Sequence, residues 1–191
     1  MALSNFTSKL NGRLIVVHLI GCWFFIYSFF ILSYLHDREF LLSFLNYTEY
    51  GTRLPQNWHF DASKLTIFLL WNGSSKAIGL LTAFLISITI VIKKRWYWVN
   101  SLIVFSVAIL LLRYNLFGWD YLKYIFLTPG SLFKEYSIGY FLTNGLVMFA
   151  IGLLLLFLKP VQQFIKPITA SENPDEALPQ DSDPQTDAIN N

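Results

Sequence analysis

The stretch from Ala77 to Val99 constrains this chain more than any other. It reads AIGLLTAFLISITIVI, then KKR, then WYWV: sixteen residues without a charge run into Lys93, Lys94 and Arg95, and aromatic residues follow at once. A helix crosses a bilayer core of about 30 Å with roughly 20 mostly apolar residues, because hydrocarbon satisfies no backbone amide. With Ser74, Ser75 and Lys76 in front, the run reaches that length. Its polar residues, Thr82, Ser87 and Thr89, carry hydroxyls that bond back to helix carbonyls. Three adjacent cations resist transfer across the membrane and mark the cytoplasmic end of a span.

Hydrophobic residues make up 54% of the 191 and charged ones only 14%, against about 25% in soluble domains. An integral membrane protein is the reading. The net charge of +2 is too small to suggest a nucleic-acid partner. Beyond Pro167 lie Glu172, Asp175, Glu176, Asp181, Asp183 and Asp187 with no Lys or Arg, among Pro174, Pro179 and Pro184. Such a segment buries too little apolar surface to order itself, so a disordered acidic tail is expected. Cys22 is the only cysteine, which excludes an intramolecular disulfide and a cysteine metal cluster.

The expected fold class is all-α: a polytopic membrane protein with four transmembrane helices in an antiparallel bundle, both termini cytoplasmic. Residues 1–13 form the cytoplasmic N-terminus and 14–35 the first span, too long and aromatic for a cleavable signal peptide. Residues 36–73 form an extracytoplasmic loop that includes the start of the second helix. Spans at 74–92 and 97–113 flank a cytoplasmic turn at 93–96. A second outer loop at 114–135 precedes the fourth span at 136–158, and 159–191 form the cytoplasmic tail.

Asp61 is the expected N-cap of a helix with a weak point at Gly73; a broken, re-entrant segment around Asn72 to Lys76 is the alternative. Residues 40–45 suit an interfacial turn, 50–55 a turn-rich stretch, and Asn46-Tyr47-Thr48 is a glycosylation sequon. Trp96, Tyr97 and Trp98 suit one aromatic belt, and Trp119, Tyr121 and Tyr124 the opposite one, with a short interfacial helix over 120–127. This topology puts seven cations on each side, Lys9, Arg13, Lys93, Lys94, Arg95, Lys159 and Lys166 inside against Arg38, Arg53, Lys64, Lys76, Arg113, Lys123 and Lys134 outside. The tight hairpin breaks the tie, because long loops influence orientation less.

Small residues mark the expected helix-packing faces: Gly79 with Ala83, and Gly139, Gly145 and Gly152, with the amide of Asn144 beside them. Asn100, Ser101, Ser106 and Thr143 complete a buried polar set expected to act as helix glue.

No HExxH, GxSxG, P-loop or CxxC is present, so no catalytic residue, cofactor or metal is assigned. His18 and Cys22 share a helix face, but His36 and His59 lie elsewhere, and a packing histidine bonded to a neighbouring helix is the expectation. No Asp or Glu lies inside a span, which argues against a proton-coupled pump. The candidate ligand site is the outer end of the second and third spans, where a hairpin brings Lys76 and Arg113 to one depth, with Asn72 and Ser75 as added donors. Two cations there favour a small anionic or lipidic ligand; snorkelling to the headgroups is the competing account.

In size and span count the chain resembles the small four-helix bacterial membrane proteins such as the DoxX-like group, a resemblance of architecture that carries no motif. The expectation is a non-enzymatic accessory or interaction subunit of a bacterial cytoplasmic membrane. Its expected partners are the lipid bilayer, a second copy or another membrane protein, and a cytoplasmic protein for the tail. A binder or carrier of the anionic or lipidic ligand is the first alternative, and a membrane-embedded enzyme acting on lipid or quinone the second.

Overall fold

The computed structural model describes residues 10–36, 38–43, 62–114, 116 and 128–166. Among them there is no β-strand. Helix α1 spans Gly12–Ser33, α2 Ala62–Lys93, α3 Val99–Arg113, α4 Ile138–Phe157 and α5 Lys159–Phe164, with a 3₁₀ turn at Pro129–Leu132 before α4. Helices α1, α2 and α4 are long and apolar enough to cross a membrane, while α3 is a shorter apolar helix. Its 15 residues rise about 22 Å, less than a bilayer core. Expectations for residues 1–9, Asp61, the sequon, the stretch 50–55, His59, the outer belt and short helix at 119–127, and the acidic tail lie outside the described residues.

Each helix end has a local cause. The Asn11 side chain caps α1 by accepting from the Leu14 amide at 3.1 Å. Ser137 caps α4 by accepting from Tyr140 N at 3.2 Å. Pro160 lacks the amide that would donate to the Leu156 carbonyl; the Gln162 side-chain amide donates to it instead, and the backbone extends at Leu158 before α5. At the end of α2, Arg95 takes the left-handed conformation (φ 56°) and Trp96 N donates to Val91 O at 2.9 Å, the closing bond of a Schellman-type cap normally built on glycine.

Helix α2 runs unbroken through Asn72, Gly73, Ser74 and Ser75. Those polar residues interrupt the apolar pattern but not the backbone ladder, so the second helix starts well before residue 74. Nothing lies within 4 Å of where a Gly73 side chain would begin.

The helices do not form a four-cornered bundle. Helix α1 packs against α2, α3 and α4, and α2 packs against α3, but neither α2 nor α3 makes a comparable interface with α4. Gly21 to Ile26 of α1 are all buried, as suits a helix surrounded on every side. Close approach depends on small residues. A Cβ on Gly79 would lie 2.7 Å from Ile26 Cα and 2.8 Å from Phe25 O, so the α1 and α2 backbones nearly touch there, with Ala83 buried one turn on. Gly145 seats Leu32, and Gly152 seats Phe24 and Phe25. Gly139 does not share that face: it lies under the Phe133 ring, because six residues from 139 to 145 turn a helix through about 240°.

Candidate functional site

Lys76 and Arg113 line one groove of about 370 Å³ between α1, α2 and α3. Its other described walls are apolar or small, including Ile26, Phe30, Gly73 and Leu112, with the Tyr27 side chain, and no acidic residue lines it among the described residues. The Lys76 ammonium sits 4.5 Å from the Phe30 ring centroid, a cation–π contact that gives the charge a local partner. Arg113 ends the short helix α3 and is exposed. A helix shorter than the hydrocarbon core needs a residue that reaches for the interface, and an arginine at its last turn can do so.

Asn72 and Ser75 are not part of this groove. Asn72 Oδ1 accepts from Ser33 Oγ at 2.9 Å, tying α2 to α1. Ser75 is buried and its hydroxyl donates to the Asn72 carbonyl at 2.8 Å, one turn back in the same helix. The groove therefore offers two cations over an apolar floor, a shape that suits an anion carrying an apolar body.

The buried polar side chains form bonds between helices. Ser87 Oγ of α2 lies 2.7 Å from His18 Nδ1 of α1 and donates to Ser101 Oγ of α3 at 2.9 Å. The buried His18 Nε2 has no partner among the described residues. Ser28 of α1 donates to the Gly145 carbonyl of α4 at 2.8 Å. The Asn11 backbone amide donates to Asn100 Oδ1 at 3.0 Å, and its side chain donates to Ile165 O at 2.6 Å, joining the starts of α1 and α3 to the end of α5.

Asn144 accepts from Gly130 N at 2.7 Å, so its partner is the 3₁₀ turn before α4 rather than another long helix. Ser106 differs from its expected place: it is exposed, and Thr143 is half-buried, so neither belongs to the buried set. Sequence reasoning did not single out Ser28, although serine in an otherwise aromatic run, YSFF, is the signal that marks it.

A second outer groove, of about 710 Å³, lies between α1 and α4 and is walled by Tyr27, Phe30, Tyr34, Tyr136, Tyr140 and Phe141 among others. Tyr136 takes a left-handed backbone (φ 56°), and Arg38 Nε donates to its carbonyl at 2.8 Å. Among the described residues no group of three or more His, Cys, Asp or Glu is placed to hold a metal ion.

Family models, curated proteins and solved structures were all compared with the chain, and none matches it.

Proposed function

We propose that this chain is a four-span, non-enzymatic protein of a bacterial cytoplasmic membrane, with both termini cytoplasmic, acting as an accessory or interaction subunit. One observation carries the reading: the polar groups buried between the described helices are engaged in holding those helices together. Ser28, Ser87, Ser101, Asn100 and Asn144 all have partners in neighbouring segments, and among the described residues no carboxylate is buried beside them. This engagement supports a structural use of the interior; the buried side-chain atoms left without a partner among the described residues are His18 Nε2, Asn144 Nδ2 and Gln162 Oε1. What remains for function is the outside, including the exposed apolar residues Leu69, Leu81, Leu85 and Ile92 on α2 and Leu110 on α3.

The test is native mass spectrometry of the full chain in mild detergent, paired with cross-linking in intact membranes. A second copy or another membrane protein retained in both supports the subunit reading; an uncross-linked monomer in intact membranes refutes it. Deleting residues 170–191 should release a cytoplasmic partner recruited by the tail. Cysteines placed at Asn46 and Lys94 report orientation, and labelling of the Lys94 position from outside overturns it.

A second reading, binding of a small anionic or lipidic ligand at the outer end, is supported by the shared groove of Lys76 and Arg113. The double variant Lys76→Gln, Arg113→Gln should then lose a co-purifying mass of a few hundred daltons, while a pure subunit would keep its partner unchanged.

A further inference from the structure

At the end of the molecule opposite Lys76 and Arg113, four lysines converge on one groove of about 640 Å³. Lys93 and Lys94 come from the end of α2 and its turn, Lys159 from the start of α5, and Lys166 from just beyond α5. The floor is apolar, with Ile90, Trp96 and Phe157. Gln162 and Gln163 also line it, and among the described residues no acidic side chain does.

Two other described cations at this end, Arg13 and Arg95, are handled differently. Arg13 lies over the Phe164 ring at 5.1 Å, and Arg95 occupies the strained turn position without lining the groove. A topological signal requires only that cations lie on the right side of the membrane. It does not require segments some 65 residues apart in sequence to line one cleft with lysines, whose like charges repel one another.

We propose that this groove binds the headgroup of an anionic phospholipid, with the phosphate among Lys93, Lys94, Lys159 and Lys166 and the upper acyl chain against Ile90, Trp96 and Phe157. Charge complementarity selects a phosphate-bearing anion. The apolar floor selects a lipid over a free phosphate, because a small, fully hydrated anion gains nothing from a tryptophan and a phenylalanine. Basic clefts between helices at the membrane surface are suited to multiply charged headgroups, so a lipid with two phosphates should bind more tightly than one with a single phosphate. The proposal rests on the membrane-spanning reading of the chain, but not on its role as a subunit or on its orientation.

The experiment uses the full chain in nanodiscs of phosphatidylcholine, doped with phosphatidylglycerol or cardiolipin, with retained lipid read by native mass spectrometry after release into mild detergent. Failure to enter a pure phosphatidylcholine disc refutes the membrane reading itself; entry without preferential retention of anionic lipid overturns only this inference. The expected result is retention in the order cardiolipin, phosphatidylglycerol, phosphatidylcholine. The quadruple Lys→Gln variant at 93, 94, 159 and 166 should lose at least about tenfold in retention of the anionic lipids. The matching Lys→Arg variant should restore it, which separates lost charge from lost folding.

A control carrying Lys64→Gln and Lys134→Gln should retain lipid as the wild type does. Undiminished retention by the quadruple Gln variant sinks the proposal. So does displacement of bound lipid by millimolar inorganic phosphate, which would identify a free-anion site. Retention that emerges only after deletion of residues 170–191 would overturn it as well, naming the acidic tail as the occupant.

Discussion

Two alanine substitutions in one helix should act with opposite sign. Gly73→Ala and Gly79→Ala both lie within α2, so both gain the same intrinsic helix preference, about 1 kcal/mol. Their surroundings differ. The new methyl at residue 73 meets nothing within 4 Å, whereas at residue 79 it would lie 2.7 Å from Ile26 Cα, 2.8 Å from Phe25 O and 3.0 Å from Ile26 N. These are backbone atoms, which cannot rotate aside as a side chain would. Reaching the 3.4 Å edge of ordinary contact requires α1 to retreat by about 0.7 Å. Helix α1 has little room to do so, because α4 holds its other side through the Ser28–Gly145 bond and the seating of Phe24 and Phe25 on Gly152. Overpacking of this kind costs about 1–3 kcal/mol. Gly73→Ala should therefore stabilise by up to about 1 kcal/mol and Gly79→Ala should be neutral to destabilising by about 2 kcal/mol. The propensity gain cancels in the comparison and leaves a gap of about 1–3 kcal/mol. The assay is reversible unfolding in mixed micelles by added dodecyl sulfate, followed by far-ultraviolet circular dichroism. Equal stability, or a Gly79→Ala protein more stable than Gly73→Ala, would refute the close α1–α2 approach.

The same unfolding assay tests three further expectations. Ser87→Ala strands the His18 and Ser101 partners in the interior and should cost about 1–3 kcal/mol, while Ser106→Ala, on an exposed face, should stay within about 0.5 kcal/mol of wild type. Asn144→Leu leaves the buried Gly130 amide without its acceptor and should cost about 1–3 kcal/mol, with the loss reduced if Gly130 finds water. Arg95→Gly relieves a left-handed backbone and should stabilise by about 1 kcal/mol; because Arg95 does not line the lysine groove, retention of anionic lipid should be unchanged.

The apolar runs were legible because a helix in water keeps a polar face, so 18 or more residues with almost no charge point to lipid on the outside. Helices α1, α2 and α4 fall on those runs. The meeting of Lys76 and Arg113 in one groove was also legible, since a tight turn at 93–96 forces the two ends of its hairpin together. Less accessible were contacts decided by the direction a side chain leaves its helix. Ser75 stands next to Lys76 in sequence, yet a turn of 100° per residue sends it to another face; Asn72, four residues and about 40° from Lys76, is drawn away by its bond to Ser33. The same arithmetic separates Gly139 from Gly145 and Gly152. The Asn144 partner was out of reach because it lies in a turn with no apolar period, and the lysine groove because its halves are joined only by tertiary packing.

The central position of α1 explains where the cavities fall. A four-cornered bundle would bring each helix against two neighbours and set α4 against α3 as well as α1. Here α4 makes its one substantial interface with a long helix against α1, and a groove lies between the ends of α2 and α4. Ile90 and Lys93 on one side and Phe157 on the other line the resulting gap, and Lys159 and Lys166 rim it because Pro160 stops α4 and turns the chain into α5. In water such a gap would cost apolar exposure; at a membrane surface a lipid can fill it, acyl chain against the floor and headgroup against the rim. On this argument a substitution that fills the gap from its exposed rim, such as a larger apolar side chain at Gln163, should displace lipid and stabilise the lipid-free protein together. One that only removes charge should displace lipid without that gain.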